Sequence, residues 1–302
     1  LVMAPGELSA IQIAPNPNPS GNTITITPST PGENCVPFTN LSRINIEPLA
    51  SFQNSSEFNN GRFRGYLQGS TVINSGTIIN SDHFNNAGSV SMLEGSRFIN
   101  LPSGVYVEID GATSISGMFL NEGRTGHSSS DVRINETGQY IQRQSASSSV
   151  TPTTVNVTAV RNAGLVHIAA GEFSNGVFGR YAQTGTTQID GVFKNGGGFV
   201  FNDGQFTVGK TGLYEHQRAF ALPIPGVGNP GGSALNNRAF TNAGTTNIAT
   251  GVFTNQGSVV NSGTFSVGTL GTYSQTSTAA VVTPTTVNSG TFTNAGGTPT
   301  PR

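Results

Sequence analysis

The chain is poor in almost everything that builds an ordinary globular domain. It has no tryptophan, one cysteine, three methionines and only two lysines, Lys194 and Lys210. Glycine apart, only 34% of its residues are hydrophobic, and 10% are charged, the latter against about 25% in a typical soluble domain. With 40 glycines supplying no side chain, few apolar groups are left to fill a conventional wide core. The single cysteine, Cys35, excludes an intrachain disulfide and reads as a small buried side chain. No apolar run approaches the ~18 residues of a spanning helix, so membrane insertion is not expected. The 14 Lys plus Arg are scattered and offset by 15 Asp plus Glu, which leaves no basic stripe for nucleic acid. No stretch carries a helical apolar period, and 40 glycines with 16 prolines would break one. Disorder by composition is excluded as well. It needs high net charge and few β-branched or aromatic residues, whereas here the net charge is -1 and Phe, Val, Ile and Thr recur on schedule.

What is present is a phrase stated three times: NAGSVSMLEGSRFIN from Asn86, NAGLVHIAAGEFSN from Asn162 and NAGTTNIATGVFTN from Asn242. Asn162 to Asn175 and Asn242 to Asn255 are both 13 apart, and Asn86 to Asn100 is 14. Such a phrase means stacked, similar rungs of chain. Inside it runs a shorter beat: Asn74, Asn80 and Asn86 are six apart, as are Asn255 and Asn261. The consensus is x-Φ-x-N-x-G. Strand side chains alternate with period two, so the apolar residue and the Asn share the inner face. Phe240 and Phe253 are apolar inward positions of this kind, and Asn74, Asn80, Asn86, Asn162, Asn175, Asn242, Asn255 and Asn261 are expected to stack as a ladder of amides. Asn and Gly tolerate positive φ, which marks N-x-G as the corner.

The fold class that follows is all-β, a parallel β-solenoid. Blocks open near Phe84, Val160 and Phe240, with a further opening at Phe292. They close at Gly-x-Tyr, with Tyr140, Tyr214 and Tyr273 each followed by Gln142, Gln217 and Gln275, and then leave on a Pro-bearing excursion. The division is an extended Pro-rich arm over 1–32 and a solenoid over 33–297, in blocks 33–83 (degenerate), 84–159, 160–239 and 240–297. A linker over 298–302 follows.

The run Gly251 to Gly268, GVFTNQGSVVNSGTFSVG, resembles the repeats of bacterial secreted β-solenoids of the filamentous-haemagglutinin and autotransporter-passenger type. The resemblance covers most of residues 70–297. It implies a parallel β-helix outside a bacterial cell, with adhesion or surface scaffolding as the usual role and no catalytic residues to transfer.

The arm holds two alternating segments, Ala10 to Ile13 and Thr23 to Thr27. Either it caps its own solenoid, or Ile11, Ile13, Ile24 and Ile26 enter a neighbouring copy as an added strand. The chain begins at Leu, as if a signal peptide had been removed, which places the protein at the cell surface or outside it. Chemistry is sparse. His83, His127, His167 and His216 have no metal-ligand spacing, and three of them fall where a polar surface residue is expected. Among Asp82, Asp110, Asp131, Asp190 and Asp203, only Asp110 and Asp190 share a context, I-D-G, which reads as a turn or as equivalent carboxylates of a polysaccharide-cleaving groove. The three closing tyrosines either pack inward or form an exposed row that stacks on sugars. No catalytic residue, cofactor or metal is expected. The expectation is a structural subunit of an extracellular filament or rod, self-associating by strand addition, with host or matrix polysaccharide as a further partner. The alternative is an adhesin or a carbohydrate-binding or carbohydrate-cleaving β-helix protein.

Overall fold

The computed structural model describes residues 11–19, 21–61, 70–128, 130–176, 178–217, 232–276 and 284–295. These residues form 35 strands and no helix, and neighbouring strands pair in parallel. Each coil takes three strands in turn. Arg97–Asn100, Val105–Ile109 and Ala112–Ile115 make one coil, and the chain then returns at Met118–Asn121, with Phe98 beside Phe119 and Asn100 beside Asn121. The result is a triangular parallel β-solenoid. Its first face is a ladder of 13 strands, while the second and third belong to one 22-stranded sheet because Thr245–Asn255 and Thr264–Gln275 run unbroken round the corner between them. Thirteen strands at about 4.8 Å spacing make a rod about 60 Å long.

A coil needs about twenty residues: Phe98 to Phe119 is 21 and Phe240 to Val259 is 19. Longer coils contain excursions, as between Tyr140 and Val166, 26 residues, and between Phe206 and Phe240, 34 residues. A four-residue strand has room for two inward side chains, so the core is narrow and the low apolar content suffices. Its rings stack from coil to coil. Phe38, Phe58, Phe84 and Tyr106 run up the second face at centroid separations of 5.6, 4.6 and 5.5 Å, and Phe98, Phe119 and Tyr140 up the first at 4.7 and 5.4 Å. Phe240 and Phe253 are buried in the same core. Each such burial contributes roughly 1.5–3 kcal/mol.

The corner glycines serve a different purpose from the one expected. Those of the N-x-G motif, Gly197 at φ 89° apart, do not have positive φ. A Cβ on Gly76 would lie 2.3 Å from the Ala50 carbonyl oxygen, and one on Gly123 would lie 2.3 Å from that of Gly104. The coil beneath, rather than the turn, demands glycine there. The Asn of the motif fastens the same corner by accepting the glycine N–H, at 3.0 Å for Gly76 to Asn74 and 3.2 Å for Gly123 to Asn121.

The three phrases do not lie above one another. Asn86 is on the second face, Asn162 on the third and Asn242 on the first. Strand His83–Asn86 is the tenth in the chain, Ala159–Asn162 the twentieth and Ala239–Asn242 the thirtieth, so each block is three coils plus one strand. The closing tyrosines turn with it: Tyr140, Tyr214 and Tyr273 occupy the first, second and third faces. Of the segment expected as an extended arm, the described residues 11–19 and 21–32 form the first coil. Ile11 pairs with Gly32 and Thr23 with Arg43, and Asn18 bridges to Asn40. The expected linker lies outside the described residues.

Candidate interaction surfaces

Inward polar side chains form three columns, one per corner. On the first, Asn34, Asn54, Asn80, Asn100 and Asn121 each donate Nδ2 to the next amide oxygen at 2.7, 2.7, 2.7, 2.9 and 3.5 Å, the last to Gln142. Ile168, Ile189 and Val208 then replace amides before Asn242, Asn261 and Asn288 resume at 2.7 and 2.6 Å. The second column holds Asn156, Asn175 and Asn195, and the third Asn202, Asn236 and Asn255. Asn74, Asn80 and Asn86, six apart in sequence, therefore stand at three different corners. Asn74 has Ile46 and Met92 as its column neighbours and bonds the Arg97 carbonyl at 2.9 Å instead.

The second column is broken by charge. Asn86 is followed by Glu108, His127 and Asn156. Glu108 is fully buried, accepts from Tyr106 and Thr113, and lies 3.8 Å from His127 Nδ1. His216 is fully buried higher in the column with Nε2 2.6 Å from the Tyr214 hydroxyl. Burial holds its imidazole down at about 3. The tyrosines are equally internal. Tyr140 and Tyr273 meet Thr154 and Thr286 at 2.5 and 2.7 Å, and Tyr106 and Tyr181 meet Thr113 and Thr187, both at 2.6 Å. Burial pushes these phenols up and keeps them as neutral donors. The closing tyrosines thus form no exposed row.

The remaining candidates lie apart. Asp110, at φ 59°, sits at the corner after Val105–Ile109, whereas Asp190 follows Thr186–Ile189 and accepts from His167 at 2.9 Å and Gln188 at 2.7 Å. The two I-D-G aspartates occupy different corners and face no common groove. Asp131 is paired with Arg133 and Arg161, Asp82 with His83, and Asp203 accepts from Asn237. Among the described residues no three His, Cys, Asp or Glu side chains gather as a metal site, and no helix is long and apolar enough to cross a membrane. Cys35 is exposed rather than buried.

Two surfaces remain: the ends and one flank. At the first coil Ile13 and Ile26 are 5% and 2% exposed. They fill the space left by Gly32, where a Cβ would fall 2.7 Å from Ile26 Cδ1. Gln12 and Asn22 bond the lowest ladder oxygens, those of Asn34 and Asn18, at 3.5 and 2.7 Å. The last coil is the opposite. Thr285–Asn288 is exposed throughout, Val287 is 57% exposed, and Phe292 is half-buried on Phe265 at 5.1 Å. On the flank, the third face presents Phe199, 51% exposed, beside Phe201.

No family model matches the chain, and no curated protein does.

Proposed function

We propose that this protein is a structural subunit of an extracellular bacterial filament or surface rod, joined end to end by strand addition. The observation that carries this is the last described coil, whose strand Thr285–Asn288 pairs on one side only among the described residues. An unpaired parallel edge above a half-covered aromatic core is a template for the next coil. A second copy offers one in register. Its Ile13 and Asn18 columns continue those of Asn288 and Asn294, and its Ile24 and Ile26 come over Tyr273 and Gln275. Ile13, Ile24 and Ile26 are then interface residues on the lower rim of the first described coil. Such a contact is head to tail and does not close, so it propagates as a fibre. Dispersed carboxylates favour this role over cleavage of a polysaccharide.

Electron microscopy of the wild type and of Phe292→Lys with Asn288→Lys tests it. Filaments are expected from the former, and folded single rods from the latter. Wild-type protein that stays monomeric at high concentration, or a double variant that polymerises normally, would refute end-to-end assembly.

A further inference from the structure

The flank of the third face carries a second surface, unrelated to the ends. Outward residues of successive coils stand in two columns: Arg180, Phe199, Ser233 and Val252 in one, and Ala182, Phe201, Leu235 and Thr254 in the other. The Phe199 and Phe201 rings lie 6.3 Å apart at 23°, and the Arg180 guanidinium sits 4.8 Å from the Phe201 centroid. A trough of about 340 Å³ runs over them. Two residues further along the strand, the corner opens into a groove of about 620 Å³ lined by Thr186, Asp203, Gln205, Asn237 and Arg238. Apolar rings and a hydrogen-bonding groove therefore adjoin, across coils spaced about 4.8 Å apart, close to the length of one sugar ring.

The chemistry of the surface narrows the occupant. Strand Phe199–Asn202 already pairs with Arg180–Gln183 below and Ser233–Asn236 above, so no backbone edge is free to receive a peptide strand. Recognition has to come from side chains: flat rings for stacking, short amides and hydroxyls for exchange with hydroxyls. Charge narrows it further. Asp203 is the single carboxylate lining either groove and it is held by Asn237 at 2.6 Å, while neither Arg180 nor Arg238 forms an ion pair among the described residues. We propose that this flank binds an acidic, uronate-bearing polysaccharide, with sugar rings stacked on Phe199 and Phe201 and carboxylates held by Arg180 and Arg238.

Calorimetric titration of the full chain with an alginate hexamer and with cellohexaose tests the assignment. The alginate hexamer is expected to bind more tightly. Replacing both rings, Phe199→Ala with Phe201→Ala, should weaken both ligands by about tenfold or more, and Arg238→Gln should weaken only the uronate, by roughly fivefold. All three sites point outward, and unchanged melting temperatures would show that the fold is kept. The proposal is overturned by a wild type that binds neither oligosaccharide, by equal affinity for the two, or by binding that survives loss of the rings. It is also overturned if the ring variant loses only self-association in sedimentation, which would make the patch a contact between copies.

Discussion

The first and last coils of the described residues are made from the same strand type and covered in opposite ways. At the first coil, apolar side chains fold into a space vacated by Gly32, and the ladder oxygens of Asn18 and Asn34 are tied to neighbouring side chains. At the last coil, Asn288 receives the ladder from Asn261 and Phe292 is stacked on one side only. Ladder donors all point toward the last coil, so the column is directional, and whatever joins there receives donors rather than acceptors. The prolines add to the difference. Pro15, Pro17 and Pro19 remove N–H groups from the first coil's lower edge, a common way to blunt an edge strand, whereas Thr285 to Asn294 contains none.

The apolar side of this contrast should give the largest effect. Ile26→Ala removes a side chain that closes the core and is expected to cost about 2–5 kcal/mol, while Phe292→Ala, deleting a larger but half-exposed ring, should cost about 1 kcal/mol in the isolated subunit. Urea unfolding of the two variants compares them directly. Equal losses would mean that the ends are not finished differently.

A middle-sized effect separates the body from both ends. His216 is buried with its imidazole depressed to about 3 by desolvation, below the usual value near 6.5 of an unfolded chain. The unfolded state therefore binds the extra proton first. Stability from this site is complete above about pH 6.5 and is lost as pH falls from there toward about 3. The wild-type melting temperature should drop between pH 7 and pH 5, and His216→Asn, which places a ladder amide beside Asn195, should flatten that slope. An unchanged slope in the variant would locate the acid sensitivity elsewhere.

Much of this was legible in the sequence, though at the wrong period. Alternation fixes which side chains face inward, and the Asn beat marks the corners, so the solenoid follows from Asn74, Asn80 and Asn86 alone. What does not follow is that six residues carry the chain to the next face rather than the next rung. The repeated phrase compounds this, because a block of ten strands is not a multiple of three and returns one face on. The inward placement of Glu108, His127 and His216 is hidden for a related reason. Polar residues in a polar chain look like surface, yet Glu108 stands two after Tyr106 and His216 two after Tyr214, the same offset as Asn100 from Phe98 or Asn255 from Phe253. Applied without regard to residue type, the period-two rule would have placed them inside. The glycines were misjudged because a clash with the coil beneath has no local signature, whereas positive φ does.

The smallest expected effect is on the polar side of the same contrast. Asn54 donates to Asn80 at 2.7 Å, accepts from Asn34 at 2.7 Å and also donates to the His83 carbonyl at 3.0 Å, all in the buried interior of the column. Asn54→Ala leaves partners on both sides without a bond they cannot recover from water, so a loss of about 1–3 kcal/mol is expected. Asn288 ends the same column. It accepts from Asn261 at 2.6 Å and bonds the Gly290 carbonyl at 3.1 Å, but it is exposed, and water can replace it. Asn288→Ala should therefore cost no more than about 0.5 kcal/mol in single rods. Within a filament Ile13 of the next copy covers the site and water can no longer replace the amide, so the same substitution should then cost about 1 kcal/mol or more through the lost bond to Asn261. Melting both variants below and above the concentration at which filaments form makes the comparison. If Asn288→Ala stays neutral in the assembled state, the first column does not continue across the junction and the ends meet in some other way.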